Sequence, residues 1–199
     1  LSALTEADRR ARKRGVGVVA QSGALSPSAS SSSSSSWSSP GRQSVQPGIQ
    51  IGPFVLEAAI GAGGMGAVWR ARDTRLGRVV ALKLLPDEVS RDPVRRARFL
   101  REARAAAAAS HTHIATIYEV GDYDERLVLA MELLSGGTLR QDIRPGGLPV
   151  ADVVALVRQV ASGLAAAHAV GVVHRDIKPD NIMHAADGTL KILDYGLAR

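Results

Sequence analysis

Hydrophobic and polar positions change period several times along the chain, and each change marks an element. From Phe54 the apolar residues come in short runs, Phe54 to Ile60, Ala67 to Arg72 and Val79 to Leu85, separated by glycine-rich or polar turns. Runs of that length and spacing predict a meander of antiparallel strands. The period then becomes helical. Asp92 offers an N-cap oxygen, Pro93 suits the first helical position, and the stretch to about Ser110 places Phe99, Glu102, Ala103 and Ala106 on one face. Two more strand-like runs follow, Ile114 to Val120 and Leu127 to Leu133, joined by a turn from Gly121 to Arg126. Five strands and one helix therefore make up a first lobe. After the Gly-rich segment Ser135 to Leu139, a second helical stripe carries Val153, Leu156, Val157, Val160, Leu164 and Ala167, with Gly171 placed to close it. A polar loop, His174 to Asn181, and two short β-like runs, Ile182 to His184 and Leu190 to Leu193, complete the pattern.

Before these elements the texture is different. Residues 1 to about 48 contain a serine tract, Ser30 to Ser36, among prolines and glycines, with too little apolar surface to offset the entropy of ordering. This segment reads as a disordered tail, and as filler rather than as an autophosphorylation or docking segment. The formal charge of +6 comes mainly from its cluster Arg9 to Arg14. A solvated tail explains such a cluster, so no nucleic-acid partner is expected. The chain has no cysteine, which excludes disulfides and thiolate metal sites. No run approaches the roughly 18 consecutive apolar residues of a membrane span, and no secretory signal is visible. The expectation is a cytoplasmic domain; anchoring through a following segment stays open.

Three groups of residues carry candidate chemistry. The first is the G-x-G-x-x-G run formed by Gly61, Ala62, Gly63, Gly64, Met65 and Gly66. It lies between two strand-like runs, with Ala67 and Val68 opening the second, so it reads as a hairpin lid over phosphates rather than a strand-to-helix dinucleotide turn. The second is Lys83 at the end of an apolar strand, where a buried ammonium needs a partner. Glu102, on the apolar face of the next helix, is the expected one. The third is the loop His174-Arg175-Asp176-Ile177-Lys178-Pro179-Asp180-Asn181, followed by Asp194-Tyr195-Gly196. Two carboxylates and an amide at this spacing suit phosphoryl transfer. Asp176 would accept a hydroxyl proton, Lys178 would offset charge on the moving phosphoryl, and Asn181 with Asp194 would hold the metal.

With these motifs in this order, the chain from about Phe54 to Arg199 resembles a eukaryotic-like protein kinase domain. The stretch GAGGMGAVWRARDTRLGRVVALKLL is similar to the bacterial serine/threonine kinases. The resemblance implies an α+β, bilobal protein-kinase-like fold, with a complete N-lobe of five antiparallel strands plus one helix and a partial helical C-lobe. It implies ATP and Mg2+, with manganese as a substitute, and protein substrates bearing serine or threonine. It makes Ile60, Val68, Ala81 and Met183 the apolar walls around adenine, Met131 the gatekeeper, and Glu132 to Leu134 the hinge. The loop Gly61 to Val68 would cover the phosphates, and Lys83 with Glu102 would form an ion pair. Lys178 fits the serine/threonine class.

Two departures matter. Tyr195 stands where the family usually shows phenylalanine, and small Ala106 is the residue expected to pack against its ring. The sequence also ends three residues after Gly196. The expectation is therefore that this polypeptide by itself transfers little phosphate and leaves apolar surface exposed on the 153-to-170 helix. A rival reading is a non-catalytic, nucleotide-binding pseudokinase or truncated regulatory fragment, although Lys83, Asp176 and Asp194 are all present. A small-molecule phosphotransferase is a third.

Overall fold

The structure, a computed structural model, describes residues 45–63, 66–143 and 145–195. The serine tract, the basic cluster, Gly64, Met65 and Gly196 lie outside the described residues. Strand alternation does what its period requires. Along β4 (Arg78–Leu84), Val80, Leu82 and Leu84 face one side of a sheet while Ala81 and Lys83 face the other. The sheet is antiparallel, with strand order β1-β2-β3-β4-β6-β5, where β1 is Gln50–Ile51, β2 Phe54–Gly63, β3 Gly66–Asp73, β5 Ile117–Tyr123 and β6 Arg126–Met131. It has six strands rather than the expected five. Two-residue β1 is too short to leave a periodic signal; Gly48 N–H and Ile49 C=O also bond to Leu56, drawing the end of the expected tail onto β2.

One face of the sheet closes over Ile51, Phe54, Leu56, Trp69, Ala71, Val80, Leu82, Leu84, Val128 and Ala130. The other face receives α2 (Pro93–Ala107) through Phe99 and Ala103, which pack on Ala81, Leu127, Leu129 and Met131. Helix α2 begins as its sequence indicates. Asp92 Oδ1 accepts from the N–H groups of Val94 at 2.9 Å and Arg95 at 3.1 Å. A short helix, α1 (Asp87–Arg91), precedes it and was not expected; its acids in the first turn and Arg91 in the last suit the helix dipole. The β5–β6 turn is also tighter than expected. Tyr123 pairs with Arg126, and only Asp124 and Glu125 turn the chain, both at positive φ as a two-residue hairpin demands.

Below the sheet, α3 (Leu139–Asp142) and α4 (Val150–Ala169) lead to the loop at 171–178, a 3-10 turn at Pro179–Asn181, and the ribbon of β7 (Ile182–His184) and β8 (Leu190–Ile192). Gly171 ends α4 at φ +77, as expected. Of the expected stripe on α4, Ala167 is buried with Ala106, Ile114, Val172, Ile192 and Tyr195, and Val160 and Leu164 pack at its edge. Val153, Val154 and Val157 are exposed, as expected for this helix. By length and composition alone α4 is apolar enough to cross a membrane, although Asp152, Arg158 and His168 interrupt its apolar residues. Its Gly163 and Ala167 are buried within this domain.

Candidate active site

The glycine run divides by what its positions face. A Cβ on Gly66 would lie 2.0 Å from the Leu84 carbonyl oxygen, and its φ is +108. Gly66 is therefore required by the approach of β3 to β4. Gly63 has open space where a side chain would be, and Gly61 meets Val68 only at ordinary contact distance. Those two positions leave room for a ligand at the end of the β2–β3 hairpin, in which Gly61 pairs with Val68, Ala62 with Ala67, and Gly63 with Gly66.

The polar loop follows α4. His174 is buried beneath it; its Nε2–H donates to Leu193 C=O at 2.6 Å, and its Nδ1 accepts from Asp176 N–H at 3.2 Å. Burial pushes this imidazole below its ordinary value, so the ring stays neutral and keeps both bonds. Lys178 Nζ donates to Asp176 Oδ2 at 2.6 Å, and Asn181 Nδ2 donates to the same oxygen at 3.0 Å and to Asp176 C=O at 2.8 Å. The Lys178 bond, supported by Asn181, holds the Asp176 carboxyl below the usual carboxylate range, and Asp176 in turn raises Lys178. Leu193 N–H bonds to Asn181 C=O at 2.9 Å, tying Asn181 to the segment that presents Asp194. Arg175 at φ +69 and Asp194 at φ +56 hold strained backbone; among the described non-glycine residues only the β5–β6 turn shares it.

The structure corrects the expected partner of Lys83. The Lys83 ammonium is buried and bonded to Asp194 Oδ2 at 2.8 Å, not to Glu102. Glu102 Oε1 accepts instead from Arg98 Nε at 3.1 Å and from Arg175 Nη1 at 3.3 Å. A small cavity lined by Glu102, Ala105, Val172 and Arg175 lies at this contact. Arg98 sits one helical turn before Glu102 and Arg175 lies in the polar loop, so two other cations occupy the carboxylate that Lys83 was expected to meet. Helix periodicity places Glu102 on a face but cannot choose among cations that reach it. The i to i+4 spacing of Arg98 and Glu102 is the one signal of this pairing that the sequence carries.

The apolar walls are brought together in part. Val68 pairs with Lys83 across the strands, Ala81 pairs with Met131, and Val68, Ala81, Met131 and Leu133 share one cluster. Met183 lies on β7, bridged to Thr138 just after the hinge. Ile60 is half exposed near the open end of β2. Glu132 and Leu134 follow β6; the Glu132 N–H is taken by Thr116 C=O at 2.8 Å. Tyr195 and Ala106 share one buried cluster, as expected, with the Tyr195 ring edge-on to His174 at 4.7 Å.

The family described as protein kinase domain matches residues 54–199. The chain belongs to the protein kinase family. Serine/threonine-protein kinase PknE of Mycobacterium tuberculosis is 44% identical over 152 residues, covering 76% of this chain and 27% of PknE. Serine/threonine-protein kinase PknD of the same species is 44% identical over 155 residues, covering 77% of this chain and 23% of PknD. The chain thus spans about a quarter of the length of these curated relatives. Among solved structures, the M. tuberculosis PknI kinase domain superposes with a TM-score of 0.71 at 31% identity, over 78% of this chain and 64% of that one. The bilobal α+β kinase fold read from the sequence is therefore the fold of this chain.

Protein kinases use ATP and Mg2+, and the donor set here can be weighed against such a cation. Among the described residues no group of three or more His, Cys, Asp or Glu could hold a metal. Asn181 and Asp194 supply oxygens from adjacent, hydrogen-bonded segments. Magnesium retains several waters and takes phosphate oxygens, so one carboxylate and one amide oxygen fit it when a nucleotide supplies the rest.

Proposed function

We propose that this domain is a serine/threonine protein kinase, moving the γ-phosphoryl group of ATP to a protein hydroxyl. The observation that carries the reading is the Asp176 constellation, in which one carboxylate receives Lys178 and Asn181 and stays ionised. An ionised Asp176 accepts the hydroxyl proton, while Lys178 offsets negative charge on the moving phosphoryl. Asn181 and Asp194 would hold Mg2+, which would neutralise phosphate charge. Lys83, given up by Asp194, bears on the α- and β-phosphates. Val68, Ala81, Met131 and Met183 wall the adenine, with the Glu132–Leu134 backbone at its edge.

The test is nucleotide binding by this chain and phosphoryl transfer by a polypeptide extended to a complete kinase domain, with Lys83→Met and Asp194→Asn as controls in both. Mg-ATP at about 100 times its dissociation constant raises stability by roughly 2.7 kcal/mol, read as a melting shift of several degrees. Both substitutions abolish that shift and ATP-dependent labelling of a basic protein acceptor. A shift without labelling of any acceptor points to a nucleotide-binding module without turnover. Absence of any shift with the unsubstituted chain defeats the nucleotide site itself.

A further inference from the structure

The hinge and the metal-side strand are joined by an ion pair that the roles above do not use. Glu132 Oε2 accepts from Lys191 Nζ at 2.9 Å and from Thr116 N–H at 3.1 Å, while Glu132 N–H returns a bond to Thr116 C=O at 2.8 Å. Both side chains are largely withdrawn from water, Lys191 at 15% exposure and Glu132 at 23%. The same knot continues along the backbone. Ala115 N–H bonds to Ile192 C=O and Ile192 N–H to His113 C=O, each at 3.0 Å, so the 113–116 segment is stitched to β8 beside Lys191. Asp194 follows β8 by two residues, and Leu193 is bonded to Asn181. A continuous run of bonds therefore leads from the residue that opens the hinge to the pair of metal-side oxygens.

We propose that Lys191 is a positioning residue for the nucleotide, its ion pair with Glu132 setting the span between the adenine-binding hinge and the Asn181–Asp194 pair. A pair this far withdrawn from water gains little net stability, because desolvation of both ions opposes their attraction. Its geometric effect is larger. It ties two segments that meet opposite ends of one ligand, and Lys191 also pairs with Met183 across the ribbon under the adenine. A ligand held at the hinge alone is indifferent to the span. A ligand held at both ends is not, since small displacements of fixed groups are costly to binding.

This inference rests on the nucleotide-site reading, and titration separates the two. Adenosine and Mg-ATP are titrated into the unsubstituted chain and into Lys191→Met, Lys191→Arg and Glu132→Gln, each checked for a cooperative melt without ligand. Lys191→Met weakens Mg-ATP about tenfold and adenosine no more than about twofold, as expected for truncating one partner of a shielded charge pair. Lys191→Arg restores Mg-ATP binding to within about twofold, because the charge and reach are kept. Glu132→Gln, which keeps the acceptor oxygen and removes its charge, shows the same selective loss at about threefold. If Lys191→Met does not fold, the selective loss in Glu132→Gln decides the matter alone. Equal weakening of both ligands, or no weakening of either, overturns the strut while leaving the nucleotide site intact. Failure of the unsubstituted chain to bind either ligand overturns the nucleotide-site reading and the strut with it.

Discussion

His174 carries two bonds that require opposite roles of its two nitrogens, donation to Leu193 and acceptance from Asp176. Protonation would place a second N–H against the Asp176 amide and charge a buried ring. Burial accordingly depresses its titration below the ordinary value of about 6.5. The unfolded chain then binds the proton first, so His174 contributes stability above about pH 6.5 that is lost as pH falls toward its depressed folded value. Melting temperature is expected to fall as pH drops below about 6.5, with a flatter profile for His174→Gln. A profile of equal slope in the two proteins would sink this assignment. Gly66 is the other residue whose role changed between sequence and structure: read as part of a phosphate lid, it is required where β3 meets Leu84.

At the scale of elements, α2 presents Glu102 to two arginines rather than to Lys83. Arg98 is the separable member, since its pair with Glu102 is an i to i+4 contact on one helix with a partly exposed guanidinium. Such pairs stabilise by a few tenths of a kcal/mol, and Arg98→Ala is expected to leave Glu102 held by Arg175 alone and to tighten Mg-ATP binding about twofold. Unchanged or weaker binding in a titration would show that Arg98 does not oppose the Lys83–Glu102 pairing. The same comparison explains why the element boundaries were legible and the ion pairs were not. Asp92, Pro93 and the apolar face of α2 are local signals, whereas the partner of Lys83 depends on three segments far apart in sequence.

For the whole molecule, α4 is held by small contacts at its C-terminal half. A Cβ on Gly163 would lie 2.9 Å from the His113 carbonyl oxygen and 3.1 Å from Ile192 Cδ1. That carbonyl already accepts from Ile192 N–H and has little freedom to move. Gly163→Ala therefore overpacks the junction by about 1–3 kcal/mol, against a helix-propensity gain of up to about 1 kcal/mol. A melting temperature lowered by several degrees is expected, while Val157→Ala, at an exposed position of the same helix, stays within about 0.5 kcal/mol of the unsubstituted chain. A Gly163→Ala protein that melts at or above the original would overturn this account of the junction.

Sequence by itself determined the elements and the roster of chemical groups. Strand alternation, the Asp92 cap and Gly171 act over a few residues, and Lys83, Asp176, Asn181 and Asp194 are recognisable from residue type and order. It did not reveal β1, α1 or the two-residue turn at Asp124 and Glu125, whose signals are shorter than a period. Tertiary structure alone decided which distant charges meet: Lys83 with Asp194, Glu102 with Arg175, and Lys191 with Glu132. The reason is physical. Hydrophobic period is written along the chain, but a charge accepts any opposite charge within reach, and reach is set only once distant segments are packed.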